Sequence, residues 1–355
     1  MSQHKHICAA MSGGVDSSVV AALLLDAGHA VTGATMVLHE ENMVENTDIS
    51  DARAVCDRLG IPHRVYDMRA AFRHAVMDYF AATYEAGETP NPCVVCNREI
   101  KFGALLDAAL ADGADALATG HFARIGYDAG SGRHLILRAK DTAKDQSYVL
   151  WQLSQTALAH VVLPLGELSK AEVRGIADAA GFVTAHKSDS QDICFVPDGD
   201  YAAFLHRYTG RTPQPGDFVG LDGRVLGQHR GILHYTVGQR KGLGISHSAP
   251  LFVLDKDPAT CRVTLTEGEG LFRREVPLRG LNLIALDTLP TSLRCEAKLR
   301  YGHKAAPACL YPTGDGEALL VFDRPQRAPA PGQSAVFYDG DVLIGGGIIA
   351  RGEVS

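Results

Sequence analysis

The stretch AAMSGGVDSSVV places two adjacent glycines, an aspartate and several serines between an apolar run and a helical pattern. A loop of this kind offers unpaired backbone N–H groups and the positive end of a helix dipole, which together favour an anion. Gly13 and Gly14 let the backbone approach a ligand closely. The loop lacks the lysine with which a Walker loop acts on the β- and γ-phosphates. We therefore expect a site that holds a whole diphosphate and favours transfer of AMP, with Asp16 placed to bind Mg²⁺.

Three of the eight cysteines stand in polar surroundings. Cys93 and Cys96 belong to ETPNPCVVCNREIKF, and Cys194 belongs to KSDSQDICFVP. The prolines predict a turn just before a helix, where the helix N-terminus and nearby basic side chains favour thiolates. The alternative for the first two is a pair of small buried apolar residues. The remaining cysteines lie in apolar or strand patterns and are expected to be structural: Cys8, Cys56, Cys261, Cys295 and Cys309.

The elements around these residues alternate between apolar runs and helical patterns. The pattern predicts strands over 5–10, 30–38, 63–68 and 114–120, and helices over 16–27, 50–59, 70–86, 98–111 and 169–181. Ser169 and Glu172 have the spacing of a capping box at the start of the last helix. Alternation of this kind indicates an α/β fold with a parallel sheet. After Gly210 the chain changes to short alternating runs with glycine and proline, which indicates β-rich domains.

Composition sets the class of protein. The 355 residues are 46% hydrophobic and 21% charged, which is typical of globular proteins, and their number suggests two or three domains. No apolar run reaches the length of a membrane span, and the N-terminal apolar stretch is too short for a secretory signal. We therefore expect a cytoplasmic protein without membrane contact. Eight cysteines are too few for a disulfide scaffold.

One segment is positively charged although the whole chain has a net charge of −7. Residues 206–245 carry six Lys or Arg against two Asp. Charge alone favours an ordinary solvated surface. The alternative is a patch that binds a polyanion, which the interleaved rings of His229, His234 and Tyr235 would strengthen.

Longer motifs indicate a family. SGGVDSS resembles the diphosphate-binding loop of the N-type ATP pyrophosphatases. Together with it, TPNPCVVCNREIKF, GHFARI, KDQSYVLWQLSQ, SDSQDICFV, HRGILHYTVGQRKGLGI and APGQSAVFYDGD resemble the bacterial tRNA-specific 2-thiouridylases of the MnmA type, from the first strand to the last domain. This resemblance implies a PP-loop ATP-binding domain over 1–205, a small central tRNA-contacting domain over 206–275 and a C-terminal β-barrel over 276–355.

The resemblance also implies a reaction. In this family ATP adenylates the C2 oxygen of the wobble uridine in tRNAs for Lys, Glu and Gln, and a cysteine persulfide then delivers sulfur, so that AMP and diphosphate leave. By motif matching Cys194 carries the persulfide and Cys96 is the partner thiol, which closes a disulfide or releases sulfide. A sulfur relay protein that donates persulfide is the expected partner.

Motif matching assigns binding residues as well. ATP would contact Ala10, Met11, Ser12, Gly13, Gly14, Val15, Asp16, Ser17, Met36 and Gly120. The target base and the tRNA would contact Asn91, Pro92, Cys93, His121, Lys144, Asp145, Gln146, Arg300, Tyr301 and Gln333. The YTVGQRKGLG stretch would contact the RNA backbone through Arg240 and Lys241. Residues 87–92 are predicted to order only on the substrate.

One position departs from the family pattern, because many members have aspartate where this chain has Cys93. Convergence of Cys93, Cys96 and Cys194 would offer three thiolates for an iron–sulfur cluster, or less readily for Zn²⁺, whereas the persulfide route needs only two thiols.

Two other functions stay open from the sequence. An amidotransferase-linked synthetase would keep the adenylating domain, although the chain has no glutaminase signature and the three thiols would be idle. A non-catalytic RNA-binding module would use the nucleotide only for ordering.

Overall fold

The computed structural model describes residues 4–39, 47–187 and 193–352. Residues 188–192, within the predicted KSDSQDICFVP motif, lie outside the described residues. The described chain forms an N-terminal α/β part, a small central β part and a C-terminal β-barrel, as predicted. Within these ranges no helix combines the length and the apolar character needed to cross a membrane.

The N-terminal part is built around a parallel sheet. The strands of this sheet are β1 (His6–Ala10), β2 (Ala30–Val37), β3 (His63–Asp67), β4 (Ala116–Ala118) and β7 (Val161–Val162). Between β4 and β7 the chain forms a separate hairpin of β5 (Ala123–Asp128) and β6 (Arg133–Arg138). The sheet has the order β3-β2-β1-β4-β7, and every pairing in it is parallel. The helices are α1 (Val15–Asp26), α2 (Thr47–Leu59), α3 (Arg69–Phe72), α4 (Asp78–Glu85), α5 (Pro92–Val95), α6 (Leu106–Ala111), α7 (Gln155–Leu158), α8 (Lys170–Ala179) and α9 (Tyr201–Thr209).

Helix α1 follows β1 directly and is buried on almost every side. Val19, Val20 and Ala21 are fully buried and pack in one cluster with Val173 and Ala177 of α8. The helix therefore has no polar face, and its N-terminus is held at the carboxyl edge of the sheet. Helix α8 begins at the predicted capping box, in which the Ser169 and Glu172 side chains bond each other's backbone N–H groups.

Two long helices contain π segments. Residues 69–85 run through α3, the π segment Arg73–Met77 and α4. Residues 92–111 run through α5, the π segment Cys96–Leu105 and α6, so this helix begins six residues before the predicted start at 98. The reason is Pro92 at its first position, where proline is favoured because its missing N–H would have no partner. The prediction that Cys93 and Cys96 precede the helix is therefore wrong, and both lie in its first turns.

The central part is a four-stranded sheet. Its strands are β8 (Gly216–Val219), β9 (Val225–His229), β10 (Leu251–Asp257) and β11 (Arg262–Glu267), in the order β10-β11-β8-β9. A separate apolar cluster fills it, with Phe218, Val253 and Val263 fully buried.

The C-terminal part is a closed six-stranded antiparallel barrel. Its strands are β12 (Phe272–Leu283), β13 (Leu293–Lys298), β14 (Ala306–Gly314), β15 (Glu317–Arg327), β16 (Ser334–Asp339) and β17 (Val342–Ile349). The order β12-β15-β14-β13-β16-β17 closes because β12 also pairs with β17. The hairpin of β5 and β6, which the sequence analysis did not predict, attaches to β17 and joins the N-terminal part to the barrel.

The N-terminal part and the barrel share a core. Trp151 is fully buried, and its indole N–H donates to the Ser334 hydroxyl at 3.0 Å. A side chain at Gly346 would come within 2.6 Å of the Trp151 ring, so only glycine fits there. The predicted boundaries at 205/206 and 275/276 fall inside α9 and β12, and the division into domains stays a prediction.

Candidate active site

The loop between β1 and α1 passes through two glycines to the N-terminus of α1. Gly13 has a φ of 70°, and a Cβ at this position would lie 2.5 Å from the Asp48 backbone. The Ser17 hydroxyl donates to the carbonyl of Gly14 at 3.0 Å and accepts from the N–H of Ser12 at 3.2 Å. These local bonds hold the loop open around the N-terminus of α1, where backbone N–H groups favour an anion.

The structure brings the predicted ATP residues together. Ala10, Met11 and the loop are contiguous, and the Thr35 hydroxyl beside Met36 donates to the Met11 carbonyl at 2.9 Å. After β4 the chain passes so close to α1 that a Cβ at Gly120 would lie 3.0 Å from the Asp16 Cβ. Gly120 is therefore required for close approach of the two segments.

Two lysines that no sequence motif marks as site residues reach this loop from distant positions. The Lys170 ammonium on α8 donates to both carboxylate oxygens of Asp16, at 2.6 and 2.8 Å. The Lys187 ammonium donates to the Gly13 carbonyl at 3.2 Å, to Asp48 at 2.7 Å and to Asp51 at 3.0 Å. The cation absent from the loop sequence is thus supplied from elsewhere in the fold.

The three thiols singled out in the sequence are neighbours. Cys96 is buried in the main core cluster, whereas Cys93 and Cys194 keep exposed surface. The charges of Cys93 and Cys194 both raise the pKa of Cys96, and the charge of Cys93 raises the pKa of Cys194, so the three lie within electrostatic reach of one another. Cys194 is positioned by the adjacent Phe195, whose ring packs edge-on against Phe72 and Phe80 at 5.6 and 5.2 Å.

The thiols are held as thiols rather than thiolates, contrary to the prediction from the helix N-terminus. Burial raises the pKa of Cys96 to about 12, and it raises the pKa of Cys93 as well. The pKa of Cys194 is raised to about 11, first by loss of solvent around it and then by the nearby Cys93. Desolvation outweighs the favourable charge here because burial of a thiolate is costly.

Lys101 is the positive charge common to this cluster. It lowers the pKa of Cys93, Cys96 and Cys194, although less than burial raises it. Five residues separate Lys101 from Cys96, which is the hydrogen-bonding interval of a π helix, so the two lie on successive turns of the π segment.

The thiols do not fit as ligands of a metal cluster. Among the residues that the structure describes, no group of three His, Cys, Asp or Glu side chains converges in a way that could hold a metal ion. All eight cysteines are free. The iron–sulfur and Zn²⁺ alternatives therefore find no support in the positions of Cys93, Cys96 and Cys194.

Several predicted tRNA residues have partners inside the protein. The Asp145 carboxylate accepts from the N–H groups of Ala139 and Ser147 at 3.1 and 3.2 Å, and Gln146 accepts from the N–H of Phe122 at 2.9 Å. His121 is buried, which holds its pKa well below the usual range and keeps its ring neutral. These side chains shape the site, and their contact with RNA stays a prediction.

Other predicted tRNA residues line the junction between the N-terminal part and the barrel. Gln333 donates to the carbonyls of Thr89 and Pro90, at 3.2 and 2.9 Å. The Asn91 side chain forms a hydrogen bond with the Tyr148 hydroxyl, and this bond and the charge of Arg300 both lower the pKa of Tyr148, although burial raises it more. Tyr301 is 47% exposed, and the centres of the Tyr301 and Tyr148 rings lie 6.0 Å apart. The charge of Lys144 lowers the pKa of Tyr301, although burial raises it more.

The barrel also holds the segment before Cys93. The N–H of Thr89 donates to the Pro331 carbonyl at 2.8 Å, and Arg279 forms an ion pair with Glu88 at 2.7 Å. A Cβ at Gly332 would lie 2.8 Å from the Thr89 carbonyl oxygen. These contacts place the segment against the barrel, and its ordering on the substrate stays a prediction.

In the basic segment 206–245, the charged and the aromatic residues separate. All six basic side chains are exposed, and Arg211 pairs with Glu85 at 2.6 Å. His229 and Tyr235 are buried and pack edge-on against Phe218 at 5.2 and 5.1 Å. The His229 and Tyr235 rings therefore belong to the core of the central part rather than to a surface that could stack on bases, whereas His234 is half-buried.

Family models match successive parts of the chain. They are described as the tRNA methyl transferase HUP domain over residues 5–198, the tRNA methyl transferase PRC-barrel domain over 202–267 and the aminomethyltransferase beta-barrel domain over 277–349.

Individual relatives match over the full length. The chain is 45% identical to tRNA-specific 2-thiouridylase MnmA of Acetivibrio thermocellus, covering 97% of this chain and 99% of that one. It is 47% identical to the protein of the same name from Moorella thermoacetica, covering 96% and 98%. A solved 4-thiouridine synthetase–RNA complex with bound ATP is 17% identical, covers 58% of this chain and 50% of that one, and has a TM-score of 0.38, which supports no inference about activity.

Proposed function

The chain belongs to the tRNA-specific 2-thiouridylase family, and from this premise we propose that it replaces the C2 oxygen of a uridine in tRNA with sulfur, using ATP. One observation carries the proposal: the loop at α1, which favours an anion, occurs in the same chain as a cluster of three thiols. Relatives of this name match that chain over its full length. Neither feature alone would identify the reaction.

The loop supports the activation step. The uridine C2 oxygen attacks the α-phosphate of ATP, the bond to the leaving diphosphate breaks, and the base becomes adenylated. Backbone N–H groups at Gly13 and Gly14 would hold the departing diphosphate. Asp16 is the residue that would hold Mg²⁺, because one carboxylate combined with phosphate oxygens is a usual donor set for this ion. The ion would neutralise charge on the diphosphate.

The thiols support the sulfur step. The outer sulfur of a persulfide on Cys194 forms a bond to C2 as the bond to AMP breaks. The Cys96 thiolate then attacks the Cys194 sulfur, which forms a Cys96–Cys194 disulfide and leaves the outer sulfur on C2. A thiol reductant restores both residues. Because the pKa of Cys96 is raised to about 12, Lys101 is the group that makes loss of its proton less costly.

The RNA would lie across the junction of the N-terminal part and the barrel. Asn91, Pro92 and Cys93 would meet the base, and Lys144, Arg300, Tyr301 and Gln333 would contact neighbouring nucleotides. Exposed Arg240 and Lys241 of the central part would neutralise phosphates, which predicts a salt-dependent affinity.

The finer assignments follow from the family and are part of the proposal. The substrate would be the wobble uridine of tRNAs for Lys, Glu and Gln. A sulfur relay protein would load Cys194 with persulfide, and the reaction would take place in the cytoplasm.

Mass spectrometry of nucleosides from tRNA tests the activity. Cells that lack the protein should lose 2-thiouridine derivatives at the wobble position, and the wild-type chain should restore them. Cys194→Ser should fail to restore them, whereas Cys309→Ser, which changes a half-buried barrel thiol, should succeed. A Cys194→Ser protein that still thiolates tRNA would refute the assigned role.

The same measurement separates the competing functions. Two of the family models carry the name of a methyl transferase, and a methyl product would differ in mass from replacement of oxygen by sulfur. An amidotransferase-linked synthetase would leave tRNA unmodified. A binding module would retain tRNA without converting ATP to AMP and diphosphate.

A further inference from the structure

Cys93 and Cys96 form a CxxC pair in the first turns of the helix over 92–111. The N–H of Cys96 bonds the carbonyls of Pro92 and Cys93, so the two cysteines stand three residues apart on a closed helical turn. Residues at this interval share one face of a helix. Their Cα atoms lie about 5 Å apart. A disulfide spans Cα atoms about 4.4–6.8 Å apart, so the backbone already allows this pair to close one.

The two thiols of the pair differ in exposure. Cys93 is exposed, whereas Cys96 is only 8% exposed and packs in the main core cluster. Thiol–disulfide exchange with a partner in solution needs access to a sulfur, which Cys93 has and Cys96 lacks. The pair therefore has one thiol that can meet an external reductant and one that cannot.

Cys93 has no part in the proposed sulfur step, which leaves a disulfide between Cys96 and Cys194. It nevertheless lies within electrostatic reach of both of these residues, because its charge raises the pKa of each. An acid has this effect on a neighbour only when it loses its proton before the neighbour does. Cys93 is therefore the thiol that ionises first beside this disulfide.

The direction of an exchange follows from the leaving group. Attack of Cys93 on the Cys96 sulfur releases Cys194, whereas attack on the Cys194 sulfur releases Cys96. The pKa of Cys194 is raised to about 11 and that of Cys96 to about 12, and the thiol of lower pKa leaves faster. Cys194 is also the exposed one of the two, so water solvates it as it leaves.

We propose that Cys93 resolves the Cys96–Cys194 disulfide and frees Cys194 for the next persulfide. The Cys93 sulfur forms a bond to the Cys96 sulfur, the Cys96–Cys194 bond breaks, and Cys194 leaves as a thiolate that takes up a proton. The exchange needs no oxidant, because one disulfide replaces another. A dithiol reductant then supplies two electrons and two protons to the Cys93–Cys96 disulfide. This role rests on the proposed function and adds a third thiol to its sulfur step.

A Cys93 that only contacts the target base makes a different prediction. The oxidised protein would then keep the Cys96–Cys194 disulfide, in which Cys194 cannot accept persulfide. The two interpretations differ in whether Cys194 is a free thiol in the oxidised protein.

Disulfide mapping of the full chain measures this difference without tRNA or ATP. The protein is equilibrated with a mixture of reduced and oxidised glutathione, its free thiols are blocked with iodoacetamide, and it is digested with trypsin. Cys93 and Cys96 fall in the same tryptic peptide, 74–98, whereas Cys194 falls in 188–207. A Cys93–Cys96 disulfide therefore stays within one peptide, and any disulfide to Cys194 joins two.

Oxidised wild-type protein should show the disulfide within peptide 74–98 and an alkylated Cys194. In Cys93→Ser and Cys93→Ala the two peptides should be joined through Cys96 and Cys194, with loss of alkylation at Cys194. Cys309→Ser removes a half-buried barrel thiol and should give the wild-type pattern. Two results would overturn the proposal: joined peptides in the oxidised wild type, or equal alkylation of Cys194 in the oxidised wild type and Cys93→Ser.

A tRNA thiolation assay with the wild-type protein reports on the proposed function separately. Thiolation by a protein whose oxidised form joins the two peptides would refute the role of Cys93 alone. Formation of the Cys93–Cys96 disulfide by a protein that does not thiolate tRNA would refute the proposed function and leave the exchange between the thiols supported.

Discussion

Replacing Lys256 with methionine should stabilise the protein near neutral pH. Lys256 lies on β10 and is fully buried. Its ammonium donates to the Glu88 carbonyl at 3.5 Å and lies 5.5 Å from the centre of the Tyr84 ring. Burial, reinforced by the positive charge of Arg351, lowers the pKa of Lys256 to about 8, while the charges of Asp255 and Glu88 oppose this.

The size of the effect follows from the pKa difference. A fall from 10.5 to about 8 corresponds to about 3 kcal/mol, at about 1.4 kcal/mol per unit. Below pH 8 both the folded and the unfolded chain carry the proton on Lys256, and the folded chain bears the whole cost of the buried charge. Above pH 8 the folded chain releases the proton first, so its stability rises with pH until the unfolded lysine also titrates near 10.5.

The assay is urea unfolding followed by the fluorescence of Trp151, the single tryptophan of the chain, at several pH values. Lys256→Met should unfold with a free energy about 3 kcal/mol higher than wild type near pH 7, and this gap should shrink by about 1.4 kcal/mol per pH unit above 8. Lys241→Met, at an exposed position, should differ from wild type by less than about 0.5 kcal/mol. A Lys256→Met protein no more stable than wild type near pH 7, or a gap independent of pH, would refute the reasoning.

Three further predictions concern the site. Alkylation of Cys194 by iodoacetamide, followed by peptide mass spectrometry, should accelerate beyond pH 9 because its pKa is raised to about 11; a rate that levels off near pH 8 would contradict this. Lys101→Met should slow that alkylation at a given pH because the pKa rises further, Lys101→Arg should slow it less, and equal rates in all three proteins would exclude the electrostatic role. Gln333→Ala should speed amide hydrogen exchange around Thr89 without changing pyrophosphate affinity, and unchanged exchange would mean that other contacts hold this segment.

The sequence predicted the fold where the signal was local. The strand and helix that flank Gly13 have contiguous apolar patterns, and the capping box at Ser169 specifies a helix start by side-chain bonds within four residues. The start of the helix at Pro92 also has a local signal, because proline is favoured at the first helical position. This preference predicts that both cysteines lie inside the helix.

The site was less predictable because its contacts join distant parts of the chain. Lys170 lies 154 residues from Asp16, and no periodicity relates the two positions. Burial of Cys96 likewise depends on packing against residues that are distant in the sequence. The local sequence shows only the helix N-terminus and the basic side chains, and it therefore predicts a lower pKa for the thiols than the fold gives. The motifs located the chemistry, but charge and desolvation are properties of the assembled fold.

The chain between Lys187 and Cys194 links the two halves of the proposed reaction. Lys187 is fixed at the nucleotide loop by three oxygen partners, and Cys194 is followed by Phe195, which is fixed among aromatic rings of the main core. Seven residue steps span at most about 25 Å, so the thiol that carries sulfur must lie within that distance of the loop's lysine. This bound limits how far an adenylated base at the loop can lie from the sulfur that displaces AMP.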